Sequence, residues 1–138
     1  MKFVDDYPTC DETYITLRIY CGEISPDVVT EILGIKASDK IYKGKTVNGR
    51  KRPAILNGWF LTSEGKVDSL DSRAHLHWLF RLIDGKESPL NQVTKLVDNV
   101  YISCYWRSKS GHGGPKLDTE QMEKLVKYGL NIEYDVYI

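Results

Sequence analysis

The stretch Thr13-Tyr14-Ile15-Thr16-Leu17-Arg18-Ile19-Tyr20-Cys21 decides the fold class. Ile15, Leu17, Ile19 and Cys21 alternate with Tyr14, Thr16, Arg18 and Tyr20, the period-two pattern of a strand buried on one side only. The alternation returns at Val100 to Trp106, where Val100, Ile102, Cys104 and Trp106 oppose Tyr101, Ser103 and Tyr105. It returns again at Leu130 to Ile138, with Leu130, Ile132, Tyr134 and Val136 against Asn131, Glu133, Asp135 and Tyr137. Ile55 to Thr62, with Trp59 and Phe60, reads as a further strand, turned at Ser63-Glu64-Gly65.

Helical signals separate these strands. Ser25 caps a helix that has Pro26 at its first position and Asp27 at the positive end of its dipole. Val28, Val29, Ile32 and Leu33 form its apolar face and Gly34 stops it. Asp68 to Ile83 is the best amphipathic segment, with Leu70, Ala74, Trp78, Leu79, Leu82 and Ile83, and Gly85 ends it. A shorter helix is read over Pro89 to Val97. Asp118 or Thr119 caps a last helix through Tyr128, with Met122, Leu125 and Val126 inward and Gly129 as its stop. The order is β-α-β, one or two helices, then β-α-β. The two halves can be a duplication or two independent strand–helix units.

Strands with one apolar side need a helical layer on that side only. The expected fold is α+β: a ferredoxin-like sandwich, a mostly antiparallel four-stranded sheet with helices on one face. A chain of 138 residues is expected to form a single domain.

Charge is balanced overall, with 19 Lys plus Arg against 19 Asp plus Glu. That excludes a domain built wholly to bind polyanions. The layout is uneven. Residues 1–35 hold two bases against seven acids, net −5. Residues 36–52 hold seven bases against Asp39 alone, net +6, and the rest is −1. Residues 36–52 lack periodicity and read as a long basic loop.

The segment from Met1 to Cys10 has no apolar run and is not read as a secretory signal. No stretch has the roughly 20 apolar residues needed to cross a bilayer. Cys10, Cys21 and Cys104 are odd in number and lack C-x-x-C spacing, so reduced thiols in a cytoplasmic protein are expected rather than a disulfide or zinc framework.

The order of several short motifs resembles a mostly bacterial family catalogued as domain of unknown function 4279. The motifs are Tyr14-x-x-Leu17-Arg18-Ile19, the helix end Ile32-Leu33-Gly34-Ile35, Gly58-Trp59, Gly113-Gly114 before a capped helix, and Gly129-Leu130 with Asp135 and Tyr137. The resemblance spans nearly the whole chain and implies no activity, cofactor or catalytic residue. Similar small cytoplasmic proteins are often encoded beside toxins as immunity proteins.

Two candidate partner-binding surfaces stand out. One is the non-core register of the strands, with Tyr14, Tyr20, Tyr101, Tyr105 and Tyr137 beside Arg18. Tyrosine supplies rigid apolar area plus a hydroxyl, which suits interfaces, although it is also a good strand former on an open face. The other is the basic loop, with Lys43, Lys45, Arg50, Lys51 and Arg52 as an electrostatic hook for an acidic partner, or simply a solvated segment. Nucleic acid is disfavoured because Glu133 and Asp135 share the tyrosine register and repel phosphate.

The loop Ser108 to Lys116 precedes a helix but lacks phosphate-loop spacing, and Asp118 opposes an anion there. His75 and His77 lie two apart and diverge on a helix, unlike an i, i+4 metal pair. Glu133 and Asp135 are a conceivable acid–base pair, with Arg18 the expected ion-pair partner of either. No catalytic residue, metal ligand or cofactor is assigned. The leading expectation is a non-enzymatic protein-binding module, an immunity-type inhibitor of a partner toxin. The alternatives are a small-ligand or nucleotide-binding regulator using the glycine loop, and an unrecognised enzyme.

Overall fold

A computed structural model describes residues 2–138. The elements are β1 (Cys10–Gly22), α1 (Pro26–Leu33), β2 (Asp39–Ile41), β3 (Asn57–Thr62), α2 (Ser72–Ile83), α3 (Glu87–Leu96), β4 (Asn99–Ser108), α4 (Thr119–Tyr128) and β5 (Asn131–Tyr137). The class is α+β as expected, but the sheet differs from the ferredoxin-like expectation. It has five strands in the order β2-β3-β1-β4-β5. β1 is antiparallel to both β3 and β4, β2 is antiparallel to β3, and β4 and β5 are parallel. The parallel pair follows from the chain path: α4 carries the chain back across the sheet, and only a crossover can set two neighbouring strands parallel. The added strand β2 lies within residues 36–52. It is three residues long, too short to show a period in sequence.

All four helices pack on one side of the sheet. Ile15, Leu17 and Ile19 of β1 and Ile102, Cys104 and Trp106 of β4 meet Val29 and Leu33 of α1, Leu79 and Phe80 of α2, Leu90 and Val93 of α3, and Leu125 of α4. The capping reading holds for α1: Ser25 Oγ accepts from Asp27 N–H and Gly34 adopts a left-handed φ of 67°. Asp71 caps α2, so that helix starts four residues later than Asp68.

α4 is rotated from its expected face. Leu125 is buried, but Met122 and Val126 are 47% and 82% exposed, and Gln121 and Tyr128 turn inward instead. Gln121 Nε2 donates to the Arg73 carbonyl at 2.9 Å, and Tyr128 stacks on Phe80. These contacts fix the helix through 121, 125 and 128, positions on one helical stripe. The three cysteines are free and buried. Burial pushes Cys104 up to about 12. Among the described residues, no helix is long and apolar enough to cross a membrane.

Candidate functional site

The side of the sheet away from the helices carries the tyrosine register. The β1–β4 pairing sets Tyr14 opposite Tyr105 and Arg18 opposite Tyr101. Their rings stack: Tyr14 and Tyr105 lie 4.8 Å apart at 2°, and Tyr105 continues to Tyr137 of β5 at 5.2 Å. A second row runs from Tyr101 through Tyr20 to Phe60 of β3, with ring centroids 6.1 and 5.7 Å apart. Gly58 permits this row, because a Cβ there would sit 2.8 Å from the Phe60 ring. Arg18 lies between the rows. Its Nε donates to Ser103 Oγ at 2.8 Å and its guanidinium covers the Phe60 ring.

The basic loop folds back over this face as an arm. Gly44 N–H donates to the Ala54 carbonyl and Ala54 N–H to the Lys45 carbonyl, both at 2.8 Å, and Thr46 bridges Pro53. Gly49, at φ 82°, supplies the left-handed turn at the tip. The base of the arm is tied down. Asp27 of α1 accepts from Lys40 Nζ at 2.8 Å and from Tyr42 Oη at 2.7 Å. Asn57 accepts from Lys43 N–H and donates to the Gly22 carbonyl.

Arm and sheet together enclose a groove of about 880 Å³. Tyr14, Arg18, Tyr20 and Phe60 form its floor, and Arg50, Lys51 and Arg52 stand on its rim beside the apolar run Pro53 to Leu56. A second concavity of about 490 Å³ continues past Tyr14 and Arg18 to Tyr101, Tyr105, Tyr137, Glu133 and Asp135. The tyrosine face and the tip of the basic arm therefore adjoin in one continuous concavity. Burial raises the Tyr14 hydroxyl above its ordinary pKa, burial and neighbouring Tyr20 do so for Tyr101, and Asp135 does so for Tyr137. These hydroxyls stay protonated and can donate hydrogen bonds at neutral pH.

Three expectations change. Lys43 and Lys45 do not line the groove, and Lys43 pairs with Glu23 at the arm's base. Arg18 forms no ion pair with Glu133 or Asp135; its Nε is held by Ser103 of β4 and its guanidinium lies over the Phe60 ring of β3. The glycine loop is closed on the N-terminal segment. Tyr7 Oη donates to the Gly114 carbonyl, Ser108 Oγ accepts from Gly111 N–H, and a Cβ on Gly113 would collide with Thr9. Asp118 at the start of α4 meets Arg73.

Phe60 and the apolar run Pro53 to Leu56 were missed as site residues, although Phe60 alternates with core Trp59 and so had to face the tyrosines. One pair resembles a nucleophile and its base: Ser63 Oγ lies 2.6 Å from His75 Nδ1. Both residues are buried, Ile15 N–H donates to Ser63 Oγ, and His75 Nε2 meets the Ser69 carbonyl. The pair ties β1, the β3–α2 turn and α2 together, away from the groove.

Residues 11–138 match the family described as Domain of unknown function (DUF4279). The chain belongs to that family. No curated protein and no solved structure matches it. In this DUF4279 chain the motif residues Tyr14, Arg18 and Gly58 all serve the groove, while Gly113 packs the loop before α4 against Thr9.

Proposed function

We propose that this chain is a non-enzymatic protein-binding module whose site is the aromatic groove beneath the arm. The supporting observation is convergence: Arg50, Lys51 and Arg52 stand over Tyr14, Arg18, Tyr20 and Phe60. Half-buried aromatic rings with arginine are the composition of interaction hot spots. The finer reading is an immunity-type inhibitor of a partner toxin, by analogy with small proteins encoded beside toxins. A cytoplasmic location belongs to the same proposal and is supported by three buried, unpaired thiols.

The experiment is capture of host proteins at physiological salt by the native chain, by R50A/K51A/R52A and by Y101A/Y105A. A partner held by the native chain and released by both variants is expected. Equal capture by all three, or none by the native chain, overturns the site. Protection of cells that co-express the captured protein tests the inhibitor role.

A small-molecule occupant is the second reading. It is favoured by the groove's volume, about 880 Å³, which lies within the roughly 300–1,000 Å³ of ligand sites. A thermal-shift screen of nucleotides and metabolites tests it, with stabilisation of the native chain and not of R50A/K51A/R52A as the expected result. A flat screen removes this reading.

A further inference from the structure

The groove is electrically two-ended. Under the arm Arg18, Arg50, Lys51 and Arg52 outnumber the two acids there, Asp39 and Glu64, and Glu133 and Asp135 mark the β5 end. None of these charges makes an ion pair among the described residues. Other charges nearby are neutralised, as Lys40 is by Asp27 and Lys43 by Glu23 at the base of the arm. Unpaired charges of opposite net sign therefore stand at the two ends of one concave, aromatic face.

We infer that the occupant is an extended, bipolar segment of a partner protein, with acidic residues under the arm and basic residues over β5. This rests on the protein-binding reading above. A wholly acidic segment meets Glu133 and Asp135, and a wholly basic one meets Arg18 and the arm. Either arrangement sets like charges together, which disfavours the wrong partner. From β3 to β5 is three strand spacings, about 14 Å. That span needs roughly four or five residues of extended chain, so a single dipolar residue cannot bridge both ends. Between the ends lie the stacked rows of Tyr14 with Tyr105 and Tyr20 with Tyr101, which fit flat or apolar side chains.

The test uses end-blocked, fluorescent heptapeptides on the whole chain, read by anisotropy. The bipolar probe has two acidic residues, a Tyr-Gly-Tyr centre and two basic residues. Controls are an isomer with alternating charges, an all-acidic and an all-basic version. The bipolar probe should bind about tenfold more tightly than its alternating isomer. In R50E/K51E/R52E the preference should move to the all-basic peptide, and in E133K/D135K to the all-acidic one. All five residues are exposed, so the fold is retained, which far-UV circular dichroism checks.

Equal binding of the two neutral isomers overturns the inference. So does an unchanged ranking in the variants, or no binding of any probe at millimolar concentration. If the host partner is still captured and still lost in Y101A/Y105A, only the bipolar assignment falls. If capture fails as well, the protein-binding reading falls with it.

Discussion

Asp71 ties the N-terminal segment to α2 through one carboxylate. It accepts Val4 N–H at 2.8 Å, caps α2 through Arg73 N–H at 3.0 Å, and pairs with Arg73 Nη2 at 2.6 Å. Burial pushes its pKa up, but the Arg73 side chain and the two N–H groups outweigh that and hold it below the ordinary value. Its removal leaves Arg73 buried with only Asp118, itself one-third exposed. Asp71→Ala should cost about 3–5 kcal/mol in urea unfolding, and Asp118→Ala clearly less.

His75 carries the opposite sign. Burial lowers its pKa below 6.5 and outweighs the Ser69 carbonyl and the Asp71 carboxylate, which both favour the charged ring. The unfolded chain takes up a proton at a pH where the folded one does not. The stability supplied by the neutral ring is therefore complete above pH 6.5 and is lost as pH falls from there toward the folded value. The urea midpoint of the native chain should drop between pH 7 and 5 more steeply than that of His75→Asn. A parallel decline in the two would remove His75 from this account. Half-buried His77, on Phe3, shifts in the same direction and is common to both proteins. None of these partnerships is readable from sequence, because Ser63 and His75 meet only through the turn between β3 and α2.

At the scale of elements, legibility followed burial. β1 and β4 were clear because each has helices on one side and an open face on the other, which imposes a period of two. β5 alternates equally well, yet Tyr134 and Val136 are 41% and 46% exposed because the helical layer ends before the sheet does. α4 was legible as a helix and misread in phase. Its buried stripe contains a glutamine and a tyrosine, whereas Met122 and Val126 look like core residues and are not. Val126→Lys should therefore change stability by less than about 0.5 kcal/mol. Leu125→Ala should cost about 2–4 kcal/mol by the same denaturation measurement.

The arm was legible as charge and not as structure. What folds it is side-chain capture by Asp27 and Asn57, from α1 and β3, and no local pattern encodes that. Asp27→Ala frees Lys40 and Tyr42 together. Hydrogen exchange at the amides of Gly44 and Ala54 should then accelerate, while amides of β1 stay protected. Unchanged exchange in the arm would show that Asp27 does not hold it.

For the molecule as a whole, the decisive feature is that one sheet has two different edges. β2 ends one side after three residues, as short edge strands do. β5 ends the other with seven residues, nearly all exposed, and with a row of backbone groups that no strand covers. It also exposes Tyr134 and Val136, and α4 exposes Met122 and Val126. Such an edge would pair with a second copy unless something opposed it. Two β5 strands paired antiparallel about Tyr134 would set Glu133 of each copy against Asp135 of the other on the same face, four carboxylates together. Like charges directly opposite destabilise cross-strand pairs. Glu133 and Asp135 should therefore also oppose extension of the sheet by a second copy. E133T/D135T retains strand propensity and removes the repulsion. It should show concentration-dependent dimerisation by sedimentation velocity, at concentrations where the native chain sediments with a smaller mass. E133K/D135K restores like-charge opposition and should not dimerise. Dimerisation of both variants, or of neither, would separate the edge from these two carboxylates.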